Sequence, residues 1–186
     1  MGEGFHGSDK VKLKAIPLLL LLPAVMLLLG ACSKEAQTLD LLTAIDKEKS
    51  DVVQELLESG IDPNKDPIPV GISLAGAYPL HLAVVKGNKE IVQILLGNGA
   101  QIDLKAKNKD KSTPLAWAAF FGKKDMVSLL IEYGAPINAL DANHSTPLDG
   151  AVFVWRLSQD DEEKAKHLME IIKILRANGG KPAYDL

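Results

Sequence analysis

The chain has 186 residues and a formal net charge of −3, with 47% hydrophobic, 24% charged and only 5% aromatic side chains. This is a globular composition slightly enriched in apolar residues and sufficient for one ordinary domain. Without residues 1–31, which hold three lysines and two acidic residues, the body is mildly acidic, which excludes any general electrostatic attraction for nucleic acid. A single cysteine, Cys32, excludes an internal disulfide framework and an all-cysteine metal cluster.

The apolar surplus is concentrated at the start of the chain. Lys10, Lys12 and Lys14 precede an uncharged run from Ala15 to Ala31 that is dominated by leucine and closes on Gly30 and Ala31. Basic, then apolar, then small is the order of a secretory signal. The run is near the lower length limit for a spanning helix, and Pro17 and Pro23 within it argue against one. Leu29-Gly30-Ala31-Cys32 resembles the lipobox of bacterial lipoproteins, which implies a diacylglyceryl thioether on Cys32 and cleavage before it. More than one acyl chain gives stable anchoring. Ser33 in place of aspartate resembles the outer-membrane sorting of such lipoproteins, so the expected location is a bacterial membrane facing the periplasm. Residues 33–38 form a polar tether of at most roughly 20 Å.

The rest of the chain repeats. Tyr78-Pro79-Leu80-His81-Leu82-Ala83, Thr113-Pro114-Leu115-Ala116-Trp117-Ala118 and Thr146-Pro147-Leu148-Asp149-Gly150-Ala151 align, their prolines 35 and 33 residues apart. Each is followed by a second amphipathic run that closes on Gly99, Gly134 or Gly179. A divergent first copy runs from Leu39 to Asp62. Period and signature resemble the ankyrin repeat. The resemblance implies an all-α solenoid of about four helix-turn-helix repeats, near 39–72, 73–107, 108–140 and 141–186, in a domain spanning 39–186 behind a leader (1–31) and a lipidated tether (32–38).

The motif has mechanical reasons. Thr113 and Thr146 suit the N-cap and the following prolines the first helical position, where no donor is needed. Asp149 is placed to close a capping box with Thr146. Gly87 and Gly122 are expected to end the first helix of their repeats in the left-handed conformation. Ala83, Ala118 and Ala151 allow helices to approach, while Ile91, Leu95, Met126 and Leu130 form a stripe that only a neighbouring repeat can cover.

The copies are unequal. Gly60 to Gly99 exceeds the period by about six residues and contains Pro63, Pro67 and Pro69, which predicts a lengthened finger loop. About twelve residues are inserted in the fourth copy around Arg156–Lys166, acidic and then basic, which predicts a solvated start to a lengthened outer helix.

No chemistry is evident. His81 occupies the motif position where the resemblance implies a ring bonded to neighbouring backbone. His144 stands where the repeat has a turn glycine and is expected at positive φ. His6 belongs to the leader and His167 to the last outer helix, so no histidine pair has close ligand spacing. There is no phosphate loop and no Gly-x-Ser-x-Gly elbow. The expectation is a protein with no catalytic activity, no metal and no cofactor.

The resemblance also implies where binding occurs, at hairpin tips and at exposed inner-helix positions before the first closing glycine. Those positions are Val85 and Lys86, Phe120 and Phe121, and Phe153 and Val154, with Lys109, Asp110, Ala142 and Asn143 as a polar rim. Trp117 is expected in the core. Consecutive helical residues cannot face the same direction, which leaves Phe120 and Phe121 evenly balanced between docking and core. The expected function is to dock another protein through the concave face. Small bacterial proteins of this kind include helpers of periplasmic catalases and immunity proteins against secreted toxins; a structural role in an envelope complex is the alternative.

Overall fold

The computed structural model describes residues 41–186, which lie within one compact unit, Ala36–Leu186. The leader, Cys32 and the tether lie outside the described residues. Eight α-helices alternate between an inner and an outer row, and no strand occurs among the described residues. Residues 41–46 are the described part of α1, followed by α2 (Ser50–Glu58). Three further pairs follow: α3 (Pro79–Lys86) with α4 (Lys89–Gly97), α5 (Pro114–Phe120) with α6 (Lys124–Glu132), and α7 (Pro147–Leu157) with α8 (Glu162–Ala177). A 3₁₀ turn, Ala183–Asp185, closes the chain.

The caps set the helix starts. The Thr113 hydroxyl accepts the Ala116 N–H at 3.3 Å, and Thr146 and Asp149 exchange bonds through Asp149 N–H (3.2 Å) and Thr146 N–H (3.0 Å). Asn88 and Asp161 cap α4 and α8 by accepting N–H bonds from Ile91 and Lys164. Each cap contributes about 1 kcal/mol. Gly87 and Gly122 turn the chain from inner to outer helix at φ +80° and +68°, and His144 takes a finger turn at φ +57°.

Ala83, Ala118 and Ala151 are buried where inner helices touch, and Ile91, Leu95, Met126 and Leu130 are buried between outer helices. Burying each of these larger side chains stabilises the array by about 1.5–3 kcal/mol, and only stacking provides the cover. The fourth-copy insertion is shared between two helices. α7 has 11 residues against 7 in α5, and α8 has 16 against 9 in α6. The outer helix is lengthened as expected, and the inner helix grows as well: Val154 to Leu157 add a further turn to α7.

Candidate protein-docking surface

An aromatic chain crosses from the finger edge to the far end of the inner helices. Ring centroids are 6.2 Å apart between Tyr78 and His81, 5.0 Å between His81 and Trp117, 5.7 Å between Trp117 and Phe121, and 5.4 Å between Phe121 and Phe120. The last three pairs are edge-to-face, a favourable arrangement for aromatic quadrupoles. Trp117 is buried, as its place in the first turn of α5 predicts.

His81 is fully buried. Its Nε2–H donates to the Ser112 carbonyl at 3.1 Å and its Nδ1 accepts the Tyr78 N–H at 3.4 Å, so the ring spans two neighbouring fingers. Burial holds its pKa down at about 4, against the smaller opposing effect of the Ser112 carbonyl. The neutral imidazole is therefore a structural strut with no opening toward a substrate.

The chain of rings ends in a groove of about 440 Å³. Phe120, Phe121 and Gly122 form one wall, Phe153, Val154, Leu157 and Ser158 of α7 and its C-cap form the second, and Lys164, His167 and Leu168 of α8 close the end. Phe120, Phe121, Phe153 and Leu157 remain 45%, 41%, 55% and 70% exposed. The groove is fixed by short bonds: His167 Nε2–H donates to the Gly122 carbonyl at 2.8 Å, and the Ser158 hydroxyl to the Val154 carbonyl at 2.9 Å. A rigid apolar surface with aromatic walls favours an apolar partner side chain, because little ordering entropy is left to lose.

Phe120 and Phe121 both line the groove and both are partly exposed. α5 ends at Phe120, and Phe121 is the C-cap, its N–H bonded to the Trp117 carbonyl at 2.8 Å. The chain is already turning toward Gly122 there, so helical spacing no longer separates the two rings. The other expected contacts do not join them. Val85 packs against the core, and Lys86 pairs with Asp46 at 3.2 Å. Lys109, Asp110, Ala142 and Asn143 are exposed in the fingers, where Asp110 ties two of the others: the Ala142 N–H donates to its carbonyl at 2.7 Å and Asn143 Nδ2 to its carboxylate at 3.2 Å. These residues do not rim the groove: fingers lead into the N-terminal ends of inner helices, whereas the groove is built at the C-terminal ends, about 10 Å along a seven-residue helix. Leu157, Lys164 and His167 were not singled out as binding residues from the sequence. Leu157 follows Phe153 at i+4, a spacing that places both on one helix face.

Among the described residues no group of three His, Cys, Asp or Glu side chains is placed to hold a metal ion, and no helix is long and apolar enough to cross a membrane.

Helical hairpins stacked side by side and joined through fingers define the class of helical repeat arrays. A family model of three ankyrin repeats matches residues 21–106, 41–141 and 80–178. The chain belongs to the ankyrin-repeat family. It is 36% identical to alpha-latrocrustotoxin-Lt1a of Latrodectus tredecimguttatus over 61% of this chain and 7% of that protein. It is 37% identical to neurogenic locus notch homolog protein 1 of Xenopus tropicalis over 57% of this chain and 4% of that one. Ankyrin repeat and SAM domain-containing protein 6 of Mus musculus is 28% identical over 81% of this chain and 16% of its own length. The chain thus spans less than a fifth of these relatives. Family membership makes protein interaction the general role, in a family whose repeats are generally non-catalytic.

Proposed function

We propose that this protein is a non-catalytic docking module of a bacterial envelope, tethered by a lipid on Cys32 and holding a partner protein at the aromatic groove. The observation that carries the docking reading is the convergence of Phe120, Phe121, Phe153 and Leu157 on one fixed, solvent-open groove. Four exposed large apolar side chains side by side mark an interaction surface rather than scattered surface hydrophobics. The anchor and the periplasm-facing location, with the outer membrane favoured, rest on the residues from Lys10 to Ser33. A toxin to be neutralised and an envelope enzyme to be supported are the two partner classes this reading admits.

Binding is tested by recovering a protein on the immobilised wild-type chain and repeating the capture with Phe120→Ala and Phe121→Asp. The expected result is loss of the partner at unchanged helical circular dichroism; equal capture by both variants refutes the groove. Cys32→Ser is expected to abolish palmitate labelling and membrane fractionation. Membrane retention of a processed but unlabelled chain refutes the anchor.

A further inference from the structure

The long first finger does something the groove does not explain. From Pro67 to Val85 the chain carries no acidic residue and no basic one other than the buried His81. The loop closes on itself at Ile68, whose N–H donates to the Ala77 carbonyl and whose carbonyl accepts the Gly76 N–H, both at 2.8 Å. Ile68 and Ala77 are buried, so the neck is fixed in the core. Beyond the neck the chain folds through Gly71 (φ +93°) and Leu74 (φ +62°), and it leaves Val70 96% and Ile72 57% exposed. Two apolar side chains therefore project from a well-anchored loop into water.

The neighbouring finger is basic. The Lys107 N–H donates to the Gly76 carbonyl at 2.7 Å, and a Cβ on Gly76 would lie 2.5 Å from the Lys107 carbonyl carbon, so the two fingers are in backbone contact. That second finger carries Lys105, Lys107, Lys109 and Lys111, all exposed, against Asp103 and Asp110. None of the four lysines is in an ion pair among the described residues; Lys105 Nζ instead donates to the Leu140 carbonyl at 2.8 Å. The Asp110 carboxylate is already occupied by Asn143.

We infer that this edge is a docking surface for an anionic lipid bilayer. Val70 and Ile72 enter the acyl boundary while the lysines of the adjacent finger meet the phosphate headgroups. A projecting apolar tip beside unpaired cations fits a flat, negatively charged, fluid surface, which supplies hydrophobic burial and charge without a shaped counterpart. The surface lies at the opposite end of the inner helices from the groove, so docking there leaves the groove open to a partner. It rests on neither the groove reading nor the Cys32 anchor.

The test uses the full chain with Cys32→Ser and Val70→Cys, labelled at position 70 with an environment-sensitive nitrobenzoxadiazole probe. A control carries the probe at Tyr133→Cys, an exposed site at the end of α6. Vesicles of phosphatidylcholine alone are compared with vesicles containing about one third phosphatidylglycerol. Reading the probe on the loop separates this contact from any partitioning of the apolar leader. The expected result is a blue shift at position 70 with anionic vesicles, quenching by doxyl-labelled acyl chains, and no change at position 133. With Lys107→Glu, Lys109→Glu and Lys111→Glu together, the lipid concentration needed should rise at least about tenfold. Unchanged far-ultraviolet circular dichroism shows that the variants fold. An unchanged probe at position 70, or a response indifferent to lipid charge, overturns the inference. A shift seen only when the captured partner protein is added also overturns it and assigns the loop to a protein interface.

Discussion

The seam between α5–α6 and α7–α8 and the seam between α3–α4 and α5–α6 are built from the same repeat, yet they are held differently. At the former, ties run along the whole height of the stack. Asn138 bridges to Gly179 and Lys181 at the fingers, and Lys124–Glu170 and His167–Gly122 close the helix-turn end. The seam between α1–α2 and α3–α4 resembles it, with Asn64 bonded to Gly99 and Gln101, and with Lys86–Asp46, Asn88–Glu48 and Ser50–Glu90 at the opposite end. In the central seam the polar ties among the described residues are confined to the fingers, namely His81–Ser112, Gly76–Lys107 and Lys105–Leu140. Its outer helices, α4 and α6, also pack most sparsely. Where each repeat contacts only its neighbours, local differences of this kind decide where an array opens. The central seam is expected to part first, hinged on the fingers, and amide hydrogen exchange along α4 and α6 measures it.

The largest effect is expected from removing the hinge itself. Gly76 combines φ +81° with a Cβ position 2.5 Å from Lys107 backbone, so Gly76→Ala should cost about 3 kcal/mol in urea unfolding, by strain and by separation of the two fingers. Gly134→Ala has the same sign of φ but open space around it, and it should cost only about 1 kcal/mol. Equal costs would show that close approach plays no part.

Next in size is the pH response of the same hinge. His81 titrates at about 4 when folded and near 6.5 when unfolded, so between those values the unfolded chain binds the extra proton. Stability attributable to His81 is complete above pH 6.5 and is lost as pH falls toward 4, by up to about 3 kcal/mol. Urea midpoints measured at pH 7, 5.5 and 4 should show this fall, and His81→Gln should flatten it. A wild-type slope retained in His81→Gln removes the strut from the account.

Much of this was legible in the sequence because it depends on short-range geometry. Threonine before proline, glycine at the period and small residues at inner positions are enough to place caps, turns and helix pairing. The groove was half legible. Phe120, Phe121, Phe153 and Val154 could be placed on inner helices, but their union depends on where α5 stops and on four added residues in α7, and both are settled by packing. Lys164 and His167 reach the groove from 44 and 46 residues beyond Phe120 and Phe121, a distance that no local pattern encodes. Finger residues Lys109 and Asn143 were grouped with the rings because the resemblance names both as binding positions; helix direction sends them to opposite ends. The asparagine latch was also missed, although its signal is present: Gly60, Gly99 and Gly134 are each followed four residues later by Asn64, Asp103 and Asn138.

That spacing gives the third test. Asn64 and Asn138 each donate to a carbonyl and accept a backbone N–H on the next repeat. In the central seam the acceptor position holds Asp103 and the would-be donor is Pro136, which has no N–H. Asn138→Asp should lose about 1 kcal/mol, and Asp103→Asn combined with Pro136→Gln should gain a similar amount by installing the missing latch. The double variant should also slow exchange in α4 and α6. A gain in global stability without that local protection would place the benefit in the unfolded chain, since replacing proline changes its entropy as well.

The smallest effect is expected at the most conspicuous contact of the tighter seam. Lys124 and Glu170 lie 2.8 Å apart, and each shifts the other toward its charged form: the ammonium pKa is raised and the carboxyl pKa lowered by the bond between them. Glu170 therefore favours the folded state above the ordinary carboxyl range and loses that effect as pH falls through it. Both groups are open to water, where Coulomb attraction is screened and two long side chains lose freedom on pairing. Glu170→Gln should leave the urea midpoint at pH 7 within experimental error, and 0.5 M salt should remove any remaining difference. The seam stays closed because Leu168, Ile171, Ile172 and Leu175 remain buried beneath the pair. If Glu170→Gln instead opens α6 and α8 to exchange, the ion pair and not the apolar stripe distinguishes this seam from the central one.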